Sequence, residues 1–282
     1  MNYNNIIKNS HTNEEQAVLI ASHRGKFGSS VMENTTLAFE LALYQGADMV
    51  EMDLDMTKDG IIIGHHDDTM TRLFHKNKKI CEYTYQELIN LPIYNIFGEP
   101  CAETISTFEE ILSALKDRTL LVLDKCWEHW DAIAAVIKKY SMEKQIIMKF
   151  YIEDQKAISW AIKHPQFMYI PMVQNPNDKS KVYQLQNQTN VIGIEILPEN
   201  PNDIFLQEDY ITELHSHNLL IWCNSLSLSK NLTYGGGFDD LKSLHMGGDY
   251  GWGELIKRKI DIIQTDWVYE LKNYLKSSSN LL

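Results

Sequence analysis

His23, Arg24 and Gly25 stand in succession at the end of a short apolar run, Ala17 to Ala21, that reads as a strand. An imidazole exchanges protons near neutral pH, a guanidinium grips two phosphate oxygens at once, and a glycine lets the backbone bend around a ligand. Further along, Glu51 and Asp53 are two residues apart, so a strand turns both carboxylates to one face, which suits a hard divalent cation. Lys58-Asp59-Gly60 then reverses the chain. Ile61-Ile62-Ile63-Gly64 leads back to His65-His66-Asp67 too soon for a crossover helix, so the two arms read as a β-hairpin. Centring the turn between Asp59 and Gly60 sets His66 opposite Asp53, while alternation turns His65 away. Two histidines, an arginine and two carboxylates suit proton transfer to and from a phosphate ester, with a cation offsetting the charge.

Each of these residues has a plainer reading. His23 is one of ten histidines, most of which must be structural. Glu51 and Asp53 suit a solvated strand edge, although Met49-Val50 and Leu54 on either side argue for burial, where an uncompensated carboxylate pair is costly. Glu33 and Asn34 suit the cap of a helix beginning near Thr35, with apolar residues at 37, 38, 41, 42 and 44 on one face. His215 and His217 fall on a predicted helix and are given no role.

The elements that must position these groups alternate. Apolar, β-rich runs at 18–22, 48–54, 119–124, 145–150, 168–173, 191–196, 219–223 and 261–265 give eight strands. Helical patterns at 107–117, 128–140, 153–164, 178–187, 208–217 and 251–259 lie between most of them. This predicts an α/β fold, a (β/α)₈ barrel with a β-hairpin after the second strand, as a single domain over residues 1–282. His23, Glu51, Asp53, Asp124, Lys149 and Trp222 then fall at or near strand ends, where such barrels carry function. Residues 67–106 read as a small capping insertion. Tyr234-Gly235-Gly236-Gly237-Phe238 has the glycines of a phosphate loop but no following lysine, and reads as a loop near the barrel mouth.

His23-Arg24-Gly25, Glu33-Asn34-Thr35, Glu51-Met52-Asp53, Thr57-Lys58-Asp59-Gly60 and His66-Asp67-Asp68-Thr69 resemble, in order and spacing, the glycerophosphodiester phosphodiesterase family. Thr107-Phe108-Glu109, Trp222-Cys223-Asn224 and Thr265-Asp266 extend the likeness towards the C-terminal region. The resemblance implies hydrolysis of a small-molecule glycerophosphodiester to glycerol 3-phosphate and an alcohol. It also implies His23 and His66 as the acid/base pair, Arg24 on a phosphoryl oxygen, a Mg²⁺ or Ca²⁺ ion on Glu51 and Asp53, and Trp222 in the pocket wall. Asp124 is the implied third acidic ligand, where the family more often has glutamate followed two residues later by a phosphate-binding lysine. Cys126 holds that lysine's position here, and Lys149, at the end of the next run, is the expected replacement; a surface ion pair remains its other reading. Met32 replaces a usual proline, and Trp267 follows Asp266 where the family has a different turn. The alternatives are lysophospholipase D-like cleavage of a lipid-borne diester and a binding module that has lost catalysis.

A net charge of −12, from 26 basic against 38 acidic residues, disfavours nucleic acid and anionic membrane as partners. No run is long enough to span a bilayer, and the polar N-terminus lacks the apolar core of a secretory signal, so a cytoplasmic protein without stable membrane insertion is expected. Cys81, Cys101, Cys126 and Cys223 lack metal or redox spacing and read as free thiols. The stretch from Lys276 to Asn280 is expected to fray.

Overall fold

Leu19–Ser22 (β1), Met49–Met56 (β2), Leu120–Asp124 (β3), Ile146–Tyr151 (β4), Met168–Val173 (β5), Gly193–Ile196 (β6), Leu220–Asn224 (β7) and Ile262–Thr265 (β8) run parallel and close into a barrel. The ring is sealed at β1, which pairs with β8 on one side and β2 on the other. A computed structural model describes residues 18–28, 30–95, 97–229 and 232–279. The expected (β/α)₈ barrel is present, each strand starting and ending within two residues of the run that announced it. Parallel strands are covered on both faces, which is why they read as unbroken apolar runs. The N-terminal stretch lies outside the described residues, and no helix among them is long and apolar enough to cross a membrane.

Side-chain alternation organises the barrel interior into columns. Leu19, Met49, Leu120, Val122, Ile147, Ile170, Leu220, Trp222 and Ile262 point inward and pack as one buried cluster, filling the bore. Two residues beyond them on the same face of their strands stand Glu51, Asp124, Lys149, Asn224 and Gln264, so each column is apolar below and polar at its C-terminal end. Trp222 belongs to the lower layer. It is fully buried and does not line the pocket, so the expectation that it walls the substrate site is corrected: the residue of that strand at the mouth is Asn224.

The outer face of each strand packs on helices. Thr36–Gln45, Phe108–Leu115, Trp130–Tyr140, Gln155–Lys163, Lys179–Gln186, Glu208–Ser216, Trp252–Lys257 and Val268–Ser279 follow the eight strands in turn. Thr107 accepts a hydrogen bond from the amide of Glu110, whose carboxylate reaches back to Thr107, a reciprocal cap of the kind that contributes about 1 kcal/mol. The last helix runs to Ser279, taking in much of the serine-rich stretch expected to fray. Asp240–Met246 is a further helix that the sequence patterns did not reveal.

Ile62–Gly64 pairs antiparallel with β2, giving the predicted hairpin, and Gly60 in its turn has φ +82°. The register is one residue from the expected one. Leu54 opposes Gly64, and the amide of His65, not His66, bonds to the carbonyl of Asp53 at 3.0 Å. Gly64 is required by close approach, because a Cβ there would lie 2.0 Å from the carbonyl oxygen of Asn34. Beyond it, Ile63, Met70, Phe74, Ile80, Leu88 and Ile105 form a hydrophobic cluster of their own under the 67–106 segment, separate from the barrel clusters. All four cysteines are free thiols.

Candidate active site

The polar tops of the columns and the loops that follow them enclose a cavity of about 210 Å³ at the C-terminal mouth. His23, Arg24, Glu51, Asp53, His66 and Asp124 line it, together with Lys149. Of the site residues expected from sequence, all but Trp222 are therefore brought together.

His23 leaves β1 with its Nδ1 2.8 Å from Asp266 Oδ1, at the end of β8. His66 has its Nδ1 2.7 Å from Asp67 Oδ1. A carboxylate only accepts, so in both pairs Nδ1 donates; Nε2 of His23 is left for a ligand, whereas that of His66 accepts from Lys125 Nζ at 3.3 Å. The ladder ends at Gly64, and this release lets His66 turn to the cavity despite the shifted register; His65 is buried beneath. Burial acts to raise the Asp67 carboxyl, but the hydrogen bonds and charges of Arg72 and His66 outweigh it and hold it well below the usual carboxylate range.

Arg24 is fixed from three sides. Its Nη1 donates to Glu33 Oε1 at 3.1 Å, its Nε lies 3.1 Å from Asp53 Oδ2, and its amide donates to Glu51 Oε2 at 3.1 Å. Arg72 clasps Glu33 with both terminal nitrogens at 2.7 Å and reaches Asp67 through Nε at 2.7 Å. Arg24 and His66 are thus the two ends of one chain of charge-assisted bonds running through Glu33, Arg72 and Asp67. Asn34 does not cap the following helix, a role taken by Thr35. Its amide clamps Asp53 instead, donating to Oδ2 at 3.1 Å and accepting from the Asp53 amide at 3.0 Å. Arg24, Asn34 and Lys125 all hold left-handed backbones, φ +53°, +58° and +44°, each costing non-glycine residues about 1 kcal/mol.

Lys149 is 1% exposed and enters from the side, with Nζ 2.9 Å from Asp124 Oδ2 and 2.7 Å from Glu195 Oε2. Its ammonium also lies 4.9 Å from the centre of the Trp222 ring, so Trp222 supports the site from below. Burial opposes the charge on Lys149, but Asp124, Glu195 and Glu51 outweigh it and hold the ammonium protonated. Burial pushes Glu195 up in spite of Lys149, whereas Asp124, with the same ammonium and the Lys125 amide upon it, is held low. Cys126 is buried and takes no part. Lys125 lies just past the end of β3, where alternation no longer binds it, and places Nζ 3.3 Å from His66 Nε2.

Glu195, Asn224, Gln264, Asp266 and Asp67 were given no role from sequence. For the first three a signal existed: each is a polar residue in an inward column whose other members are apolar. Asn224 donates to Glu195 at 2.7 Å, and Gln264 donates to Glu51 at 3.1 Å.

Four carboxylates, of Glu51, Asp53, Asp124 and Glu195, face three cationic side chains, of Arg24, Lys125 and Lys149. Burial, then the nearby Asp53 charge, raise Glu51 well above the ordinary carboxyl range. A divalent cation would relieve that repulsion, and the donors are hard oxygens, so the residues fit such an ion in kind. They are not gathered into a ready ligand set: among the described residues no three His, Cys, Asp or Glu side chains are grouped to hold a metal.

Residues 23–219 match the model of the glycerophosphoryl diester phosphodiesterase family, and residues 167–275 match a domain of unknown function. The chain is 33% identical over 141 residues to a glycerophosphodiester phosphodiesterase of Bacillus altitudinis, covering 50% of this chain and 56% of that protein. A glycerophosphodiester phosphodiesterase of Caldanaerobacter subterraneus is 30% identical over 141 residues, covering 47% of this chain and 58% of its own. The matches thus span little more than half the length of these relatives. In structure, the chain is similar to a glycerophosphoryl diester phosphodiesterase from Parabacteroides distasonis, with TM-score 0.78 at 22% identity over 99% of this chain and 93% of the other. It is also similar to an Oleispira antarctica phosphodiesterase solved with its product sn-glycerol-3-phosphate, with TM-score 0.66 at 17% identity over 92% and 96%.

Proposed function

Because this chain belongs to the glycerophosphoryl diester phosphodiesterase family, we propose that it hydrolyses glycerophosphodiesters to glycerol 3-phosphate and an alcohol, with His23 and His66 as the proton-transfer pair. The observation that carries the reading is the matched pair of aspartate-anchored histidines facing one cavity beside Arg24. An imidazole whose Nδ1 is fixed by a carboxylate presents Nε2 in a constant direction, which suits one ring to accept a proton from the attacking oxygen and the other to deliver one to the leaving alcohol. Arg24 and Lys149 supply fixed positive charge for the phosphoryl oxygens. Asp266 and Asp67 hold the two rings, and Glu33 with Arg72 holds Arg24.

Glu51 and Asp53 are the residues we assign to a divalent cation, Mg²⁺ or Ca²⁺, with Asp124 as a third ligand. A phosphodiester adds one more negative charge to a cavity that already holds more carboxylates than cations, which favours a bound ion. When bound, the ion would offset charge growing on the phosphoryl oxygens.

The test is release of glycerol 3-phosphate from glycerophosphocholine and glycerophosphoethanolamine, with and without chelator. Turnover abolished by chelation and restored by Mg²⁺ or Ca²⁺ is expected. Full activity in a metal-free preparation would remove the cation from the proposal, and no release from any glycerophosphodiester would remove the activity.

A further inference from the structure

A second cavity, of about 410 Å³, lies against the first and shares His66, Lys125 and Trp127 with it. Its remaining wall comes from β2, the hairpin, the 67–106 segment and the turn after β3, and it is acidic. Asp55, Asp67, Asp68 and Glu128 line it, against Lys79 and Lys125. Two of these carboxylates are engaged: Asp67 by Arg72 and His66, and Asp55 by His129 at 3.3 Å. Among the described residues, Asp68 and Glu128 are exposed at its rim and have no ion-pair partner.

His65, at the inner end, is the independent sign that this space takes a ligand. It is 3% exposed, lines the cavity, and neither ring nitrogen has a hydrogen-bond partner among the described residues. A buried polar ring without a partner is costly, and a ligand in the cavity can satisfy it. A neutral imidazole carries one ring nitrogen that accepts and one that donates.

We infer that this second cavity is the subsite for the leaving alcohol and that it selects an alcohol bearing a primary ammonium, of the ethanolamine class. The inference rests on the hydrolytic reading above. The position follows from taking His66, which stands on the partition, as the ring that hands a proton to the departing oxygen: the alcohol must then lie on its side, and the second cavity opens there. The charge follows from the unpaired carboxylates of Asp68 and Glu128. The preference for a primary ammonium over a quaternary one follows from the acceptors, because carboxylate oxygens and the free His65 nitrogen each need an N–H to receive.

The experiment compares kcat/KM for glycerophosphoethanolamine with that for glycerophosphopropanol, in which a methyl stands where the ammonium was. The wild-type chain should prefer the ammonium diester by about tenfold or more, the worth of one charged hydrogen bond. Asp68→Asn with Glu128→Gln should bring the ratio towards one while leaving the propanol diester unchanged, since neither side chain faces the reacting phosphate. Equal rates for the two diesters in wild type, or a ratio that survives the double substitution, would overturn the inference. If neither diester is cleaved, the hydrolytic reading fails, and titration calorimetry with ethanolamine then decides the subsite: binding lost in the double variant supports it, and absence of binding to wild type overturns it.

Discussion

The Nζ of Lys149 lies 2.9 Å from Asp124, so the acidic residue at the head of β3 is already bound to a buried ammonium that Glu195 holds from the other side. Lys149 is thereby a structural ion as well as a candidate phosphate ligand. Lys149→Met would leave two carboxylates uncompensated in the barrel mouth and should cost roughly 3 kcal/mol of stability, with turnover lost as well. Urea titration measures the first and glycerol 3-phosphate release the second. A variant as stable as wild type would show that the ion triad contributes nothing to the fold.

His23→Ala and His66→Ala should each lower kcat by about 10²-fold or more while thermal unfolding stays near the wild-type value. Asp266→Asn and Asp67→Asn should lower kcat too, by about 10-fold or more with KM little moved, because they act by holding the rings. A histidine variant with wild-type turnover would remove that residue from the reaction.

Gly64→Ala and Gly60→Ala should differ. The first drives a methyl into the Asn34 carbonyl, and so disturbs the clamp on Asp53; it should destabilise by about 1–3 kcal/mol and depress kcat. The second meets no atom within 4 Å and carries only the cost of a left-handed backbone, about 1 kcal/mol, with kcat retained. Equal activity losses in the two variants would show that the hairpin acts as a whole and not through Asn34.

Asp240 lies behind the site, accepting from Ser225, Trp252 and Thr265 side chains and from the Asp266 amide. Burial nevertheless pushes its carboxyl up to about 6. The folded chain therefore holds this proton more tightly than the unfolded one, whose carboxyl titrates near 4, so its contribution is present below about pH 4 and lost as the pH rises through about 6. Between pH 4 and 7 the wild type should lose on the order of 2 kcal/mol relative to Asp240→Asn, read from paired denaturant titrations. Parallel pH curves for the two proteins would refute this.

The barrel was legible because strands covered on both faces must be apolar throughout. Arg24, Glu51 and Asp53 were legible from their types and spacing, and Asp124 from the family resemblance. The orientation of His66 was not, because register depends on how many residues the turn absorbs, and a slip of one leaves the sequence pattern equally satisfied. The finding that Lys149 joins Asp124 to Glu195 needed three strands to be placed side by side. A lone lysine in Ile-Ile-Met-Lys-Phe-Tyr and a lone glutamate in Gly-Ile-Glu-Ile were each visible as anomalies, but only the closed ring shows that they answer one another. The aspartate partners of the histidines were missed for different reasons: Asp266 is distant in sequence from His23, and Asp67 is so near His66 that it passed as part of the motif.

His23 is mounted on the barrel wall, whereas His66 hangs from the hairpin, whose Ile63 is packed into the separate cluster under residues 67–106. The distance between the two rings is therefore set by how one packing unit is seated on another. Gentle heating, or a protease that nicks the cap, would unseat His66 while circular dichroism still registered an intact barrel. Loss of turnover and loss of fold are therefore expected as two separate transitions, the first governed by the small cluster around Ile63, Met70 and Phe74.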